Sequence, residues 1–351
     1  MRCRDGSVLR PVRAAVLALG VVAVAGVTLA AETATVTTAV PVPEAMKQRF
    51  RRPHEIPFPP DDPFSEAKAA LGRRLFFEAA LSASGTLRCA TCHDPAHGWG
   101  SPPVRPAGAD GTPPARKPPS LLDLAWAEQL MWDGRESDLD SQIVEPLTDP
   151  HIMGNTLPVV IARLGARPDY VAAFAAAFPE RGITAPTIAQ ALATFERTLV
   201  SPRSPFDRWI DGDDGAISPA AQRGFLLFND MATRCVDCHA GWRFTDGTFR
   251  DTGMPDADLG RGALRPEIPY LQHAFKTPGL REIASRGPYM HDGSLADLAA
   301  VIEHYAVPPV RRASMPDYIH GFELTPVDRG ALEAFLQILS APPAPGYEYR
   351  P

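Results

Sequence analysis

Four of the five cysteines in this 351-residue chain fall in two C-x-x-C-H units, Cys89-Ala90-Thr91-Cys92-His93 and Cys235-Val236-Asp237-Cys238-His239. This pattern constrains the fold more than any other feature of the sequence. Two thiols one helical turn apart can add to the two vinyl groups of one haem, and the adjacent imidazole reaches the iron. A haem attached in this way fills the core of the segment that carries it. A zinc site made of all four thiols would not need a histidine after each pair, and neither would a redox disulfide. The assignment is Cys89, Cys92 and His93 for one haem c and Cys235, Cys238 and His239 for a second.

The surroundings of the two motifs repeat as well. LGRRLFFEAALSASGTLRCATCH (Leu71 to His93) and RGFLLFNDMATRCVDCH (Arg223 to His239) share a glycine, a Leu-Phe pair, a short polar connection and the C-x-x-C-H. Two copies of one unit predict two similar domains. Helix signals dominate elsewhere. Ser218-Pro219 reads as an N-cap and first-turn proline, and Thr325-Pro326-Val327-Asp328 as a capping pattern with Leu332, Phe335, Leu336 and Leu339 on one face. Ala172 to Phe178 and Ile188 to Leu199 also read as helix, whereas alternating strand patterns are scarce. The expected fold class is mostly α with long Pro- and Gly-rich loops, and Ser201 to Asp214 is the expected joint between domains.

The first 31 residues stand apart. Arg2, Arg4, Arg10 and Arg13 precede an apolar run from Ala14 to Ala31, the order of a secretory signal, and residues 32–60 follow as a proline-rich extended lead-in. This predicts export to the periplasm with no stable membrane span after cleavage. Cleavage would remove four arginines, one aspartate and Cys3, taking the formal charge from −6 to −9. So acidic a protein is not built to bind nucleic acid.

In order along the chain, LGRRLFFEAALSASGTLRCATCHDP, MWDGRESDLDSQ, FKTPGLREIASRGPYMHDGSLADL and LTPVDRGALEAFLQIL resemble the bacterial di-haem cytochrome c peroxidase family, which includes the methylamine-utilisation maturation enzymes. The resemblance implies two cytochrome c-like domains, each with one covalently bound haem c. Residues 61–205 would carry a peroxidatic haem and residues 206–345 an electron-transfer haem. It further implies reduction of hydrogen peroxide with electrons from a small redox protein, a c-type cytochrome or cupredoxin. The alternatives are a maturation-type oxidant, which uses high-valent iron on another protein or substrate, and a non-catalytic di-haem electron carrier. A homodimer is compatible with the family; the sequence leaves the oligomeric state open.

Residue by residue, the resemblance makes Trp132 the tryptophan between the haems and Gln142 a polar residue of the peroxide pocket. Core packing is the plain alternative for such a tryptophan. Ten residues past Gln142, where the family carries an acid/base glutamate, stands Ile152, which cannot move a proton; the neighbouring His151 is the candidate replacement, with a plain surface histidine as the alternative. The family's inter-haem calcium takes an asparagine from an R-N-x-P segment, but here that segment reads Arg116-Lys117-Pro118-Pro119, and a lysine ammonium repels a cation. Thr277 and Pro278 keep the backbone-carbonyl contributors to that ion. Fourteen residues after His291, where the peroxidases place an axial methionine, stands Tyr305, as in the maturation enzymes; His304 and Met315 compete for that role. His291 itself reads as a structural residue. No histidine lies between His97 and His151, which predicts a first haem that is five-coordinate or water-ligated at rest.

Overall fold

The computed structural model describes Thr38 and residues 41–103, 105–307 and 310–342. The expected export signal, residues 1–31, lies outside them, as does Cys3. A short helix, α1 (Glu44–Gln48), opens the described chain. The first half carries α2 (Glu66–Phe76), α3 (Cys89–Cys92), α4 (Leu139–Thr148), α5 (Leu157–Gly165), α6 (Pro168–Ala177) and α7 (Ala185–Arg197). After α8 (Pro205–Ile210), the second half carries α9 (Pro219–Phe228), α10 (Leu298–Ala306) and α11 (Pro326–Gln337). Strands are confined to one antiparallel pair among the described residues, β1 (Phe249–Arg250) against β2 (Phe275–Lys276).

Helix starts are set by local chemistry. Ser65 accepts the Lys68 amide at α2, and Ser218 accepts the Ala221 amide at α9, where Pro219 occupies the first turn. Thr184 with Thr187 and Thr325 with Asp328 form reciprocal capping boxes at α7 and α11. Each cap satisfies amides that have no partner inside the helix.

The two halves repeat one crossing. Helix α2 packs on α7, and α9 packs on α11. At the contact stand Gly72 and Gly224, where an added Cβ would lie 1.9 Å from the Ala191 carbonyl oxygen and 2.0 Å from the Ala331 carbonyl oxygen. Only a residue without a side chain lets the backbones approach this closely. Around each crossing lies a separate apolar cluster. One runs from Leu71 to Leu199 and includes Phe76, Ile188 and Phe195; the other runs from Phe206 to Leu339 and includes Phe225, Phe244 and Phe335.

Two stretches are more ordered than the sequence suggests. The lead-in crosses to the second cluster: Phe50 is wholly buried against Phe206, Phe225 and Phe244, at 5.9, 5.4 and 5.0 Å between ring centroids. The Ser201–Asp214 stretch is not a bare connection, since it folds into α8 and buries Phe206 and Trp209. Arg52 ties the two together, reaching both carboxylate oxygens of Asp207 at 2.9 and 3.0 Å and the Ser201 carbonyl at 2.6 Å. Among the described residues, no helix is long and apolar enough to cross a membrane.

Candidate functional site

Helix α3 is a single turn that sets Cys89 and Cys92 side by side with His93 at its end. The His93 Nδ1 sits 3.0 Å from the Pro119 carbonyl oxygen. A carbonyl can only accept, so Nδ1 carries the proton and Nε2 keeps its lone pair free for a metal. Burial pushes the imidazole down to about 4, which keeps it neutral as a ligand must be. The second motif has the same logic: Cys235–Asp237 form a 3₁₀ turn, and His239 Nδ1 donates to the Phe244 carbonyl at 2.8 Å. Burial holds Cys235 up at about 12 and Cys238 at about 11, and raises both thiols of the first motif.

Cys235, Cys238 and His239 line a largely apolar cavity of about 680 Å³ that extends between the halves to Lys117, Trp132 and His291. Two thiols, one imidazole with a free Nε2 and a largely apolar cavity fit a covalently attached haem. Tyr305 lines the same cavity; burial, with both cysteines of the motif near it, pushes its phenol well above the usual tyrosine range. A phenol held that firmly gives up its proton only when a metal cation takes the oxygen. Its two competitors point elsewhere. His304 is hydrogen-bonded through Nε2 to the Thr252 carbonyl at 2.9 Å, and Met315 lines a separate shallow pocket with Tyr270 and Tyr318.

Trp132 also lines the large cavity, and its indole Nε1 donates to the Lys117 carbonyl at 2.6 Å. Its ring meets His291 edge-on at 6.4 Å, and His291 is 4% exposed and stacked on Phe275 at 3.6 Å. Gln142, on α4, lies outside that cavity's lining and places its amide nitrogen 3.7 Å from the sulfur of Met131. His151 is the residue that the sequence offers either as an acid/base or as a plain surface histidine. Its side chain is 73% exposed and pairs with Asp110 at 2.7 Å, while the neighbouring Ile152 packs on the first apolar cluster. The apolar neighbour turns inward and the polar one outward, so His151 is the surface partner of Asp110.

A calcium ion fits poorly here. The Thr277 carbonyl already accepts the Thr245 hydroxyl at 2.6 Å, and the Pro278 carbonyl faces the His239 ring. The ammonium of Lys117 occupies the carbonyls of Arg286 and Pro288. Sequence reasoning missed Lys276 and Glu196. Lys276 matches Lys117 when K-P-P-S-L-L-D is laid on K-T-P-G-L-R-E, and the internal repeat was the available signal. Glu196 is 5% exposed beside Cys89, with one oxygen unpartnered among the described residues.

Residues 66–215 match the family model described as di-haem cytochrome c peroxidase. The chain is 45% identical over 295 residues to the methylamine utilization protein MauG of Methylophilus methylotrophus, covering 84% of this chain and 88% of that one. It is 34% identical over 322 residues to the cytochrome-c peroxidase IdrP1 of Denitromonas iodatirespirans, covering 81% and 84%. Among solved structures, a MauG-like protein associated with microbial copper homeostasis superimposes with a TM-score of 0.76 at 31% identity, over 83% of this chain and 95% of that one.

Proposed function

Because the chain belongs to the di-haem cytochrome c peroxidase family of peroxidase-type oxidoreductases, we propose that it is an exported MauG-like di-haem oxidase. In this reading it takes oxidising equivalents from hydrogen peroxide and delivers them to a partner protein or another substrate. The observation that carries it is Tyr305, which shares a cavity with His239 while Met315 and His304 do not. The 45% identity to a MauG of similar length supports the same choice. The charged head and apolar run of residues 1–31 support export to the periplasm. The two apolar clusters support cytochrome c-like domains at 61–205 and 206–345.

The haems, when bound, supply peroxide cleavage at one iron and storage of oxidising equivalents across the pair. Everything else falls to the chain. His93 and His239, each fixed by a carbonyl at Nδ1, would present Nε2 to the irons. Tyr305 would lose its proton and present a hard anionic oxygen, which disfavours the reduced metal relative to a methionine sulfur. Trp132, between the halves, offers an aromatic ring for electron passage. Ile152 supplies no proton, so Gln142 and water would handle polar contacts at the first haem.

A second reading, reduction of peroxide by a c-type cytochrome or cupredoxin, draws support from the 34% identity to a cytochrome-c peroxidase. One paired experiment separates the readings: the resting electron paramagnetic resonance spectrum, then the optical spectrum after one equivalent of hydrogen peroxide. A reactive high-spin signal followed by a long-lived near-infrared band, lost in Tyr305→Phe with haem attachment intact, is the expected result. Steady turnover with reduced cytochrome and no such band would favour the peroxidase. No reaction with peroxide would leave electron carriage.

A further inference from the structure

The internal repeat extends well beyond the cysteine motifs. Asp123 and Glu282 both take left-handed backbone, at φ 62° and 56°, and their amides donate to Leu199 and Leu339, just past the ends of α7 and α11. Leu130 bridges Glu136 as Tyr289 bridges Leu295. Inside these two loops Met131 and Met290 share left-handed φ values of 66° and 70°, and Trp132 stands where the second loop has His291. On this repeat Lys117 and Lys276 are equivalent positions, and each reaches into the opposite half.

Lys117 makes two kinds of contact across the boundary and one within its own half. Its amide donates to the His291 carbonyl at 2.6 Å, its ammonium donates to the carbonyls of Arg286 and Pro288, and within its own half its carbonyl takes the Trp132 indole N–H. Lys276 mirrors it: the amide donates to the Trp132 carbonyl at 2.7 Å and the ammonium to the Gln129 carbonyl at 2.8 Å. Trp132 is therefore held at its indole nitrogen by one lysine and at its backbone by the other. Lys117 is 7% exposed, and among the described residues neither ammonium has a carboxylate within 4 Å. A buried positive charge partnered only by peptide oxygens is unusual, because desolvation is ordinarily offset by a carboxylate. Carbonyl oxygens converging on a positive charge are the donor set of a hard metal ion.

We propose that Lys117 and Lys276 are the built-in cations of the boundary between the two haem-bearing halves, taking the place of a bound divalent ion, and that Lys117 is a positioning residue for Trp132. Burial lowers both ammoniums to about 8, so both remain charged at neutral pH. The proposal depends on two haems being present, and it holds for either substrate reading.

The test uses the full-length protein loaded with both haems. Wild type is expected to retain less than one-tenth equivalent of calcium after desalting, and its electron-transfer rate between the haems should not change with chelator. Lys117→Asn, which opens space beside the Arg286 and Pro288 carbonyls and adds an amide oxygen, should bind added calcium at least tenfold more tightly than wild type. Lys117→Met should bind none and should slow transfer between the haems several-fold, while calcium restores the rate in Lys117→Asn alone. Lys117→Gln, which keeps an N–H donor without the charge, serves if the methionine variant fails to fold. A stoichiometric calcium in wild type, removed by chelator with loss of transfer, would overturn the cation assignment. An unchanged transfer rate in folded Lys117→Met or Lys117→Gln would overturn the positioning role.

Discussion

At the residue scale, charge and burial give two pH-dependent expectations. His151 is raised above its ordinary value by the Asp110 carboxylate, and hydrogen bonds from His151 and Thr112 hold Asp110 down at about 2. The pair adds stability while both are charged. The histidine's share is fully present below the unfolded value near 6.5 and fades as pH rises through the raised value; the aspartate's share fades as pH falls toward 2. Nuclear magnetic resonance titration should find His151 above 6.5, and Asp110→Asn should return it to the ordinary range. Glu196 behaves in the opposite sense to most carboxylates: burial pushes it up to about 8. The folded chain keeps that proton while the unfolded chain loses it near pH 4.5, so this group makes stability decline as pH rises from about 4.5 to 8. Glu196→Gln should flatten that slope in unfolding midpoints measured across the interval. The other half has Leu336 at the equivalent place, following Phe335 as Glu196 follows Phe195.

At the scale of elements, the two helix crossings are the most exacting feature. The backbone atoms facing Gly72 and Gly224 cannot swing aside as a flexible side chain would. Gly72→Ala or Gly224→Ala should therefore cost about 1–3 kcal/mol or more through overpacking, read as a drop in unfolding midpoint with unchanged haem attachment. The helices themselves were legible: Ser218-Pro219 and the Thr325–Asp328 box begin α9 and α11 where the sequence indicates. Caps are local, so a few residues suffice to read them. The left-handed turns at Met131 and Met290 were not legible, because a methionine has no intrinsic preference for positive φ and tertiary contacts impose it.

At the scale of the whole molecule, the lead-in is a strap across the second cluster. Phe50→Ala empties a site enclosed by three phenylalanines and should cost about 3–5 kcal/mol, measured by thermal unfolding of the haem-loaded protein. Other links join the halves. Arg116, anchored to Asp133 of its own half at 2.6 Å, grips Asp258 of the other at 2.7 and 2.8 Å, and Trp126 meets Trp242 edge-on at 4.8 Å. The sequence by itself determined the helical class and the family, and it placed the two C-x-x-C-H units proposed to hold the haems, because such units, caps and apolar periodicity are written in neighbouring residues. Only the tertiary structure decided that Tyr305 rather than Met315 or His304 shares the large cavity with His239, that His151 faces solvent, and that Lys117 and Lys276 cross between the halves. Those outcomes depend on which distant backbone oxygens and apolar walls meet each side chain, and spacing along the chain does not encode that.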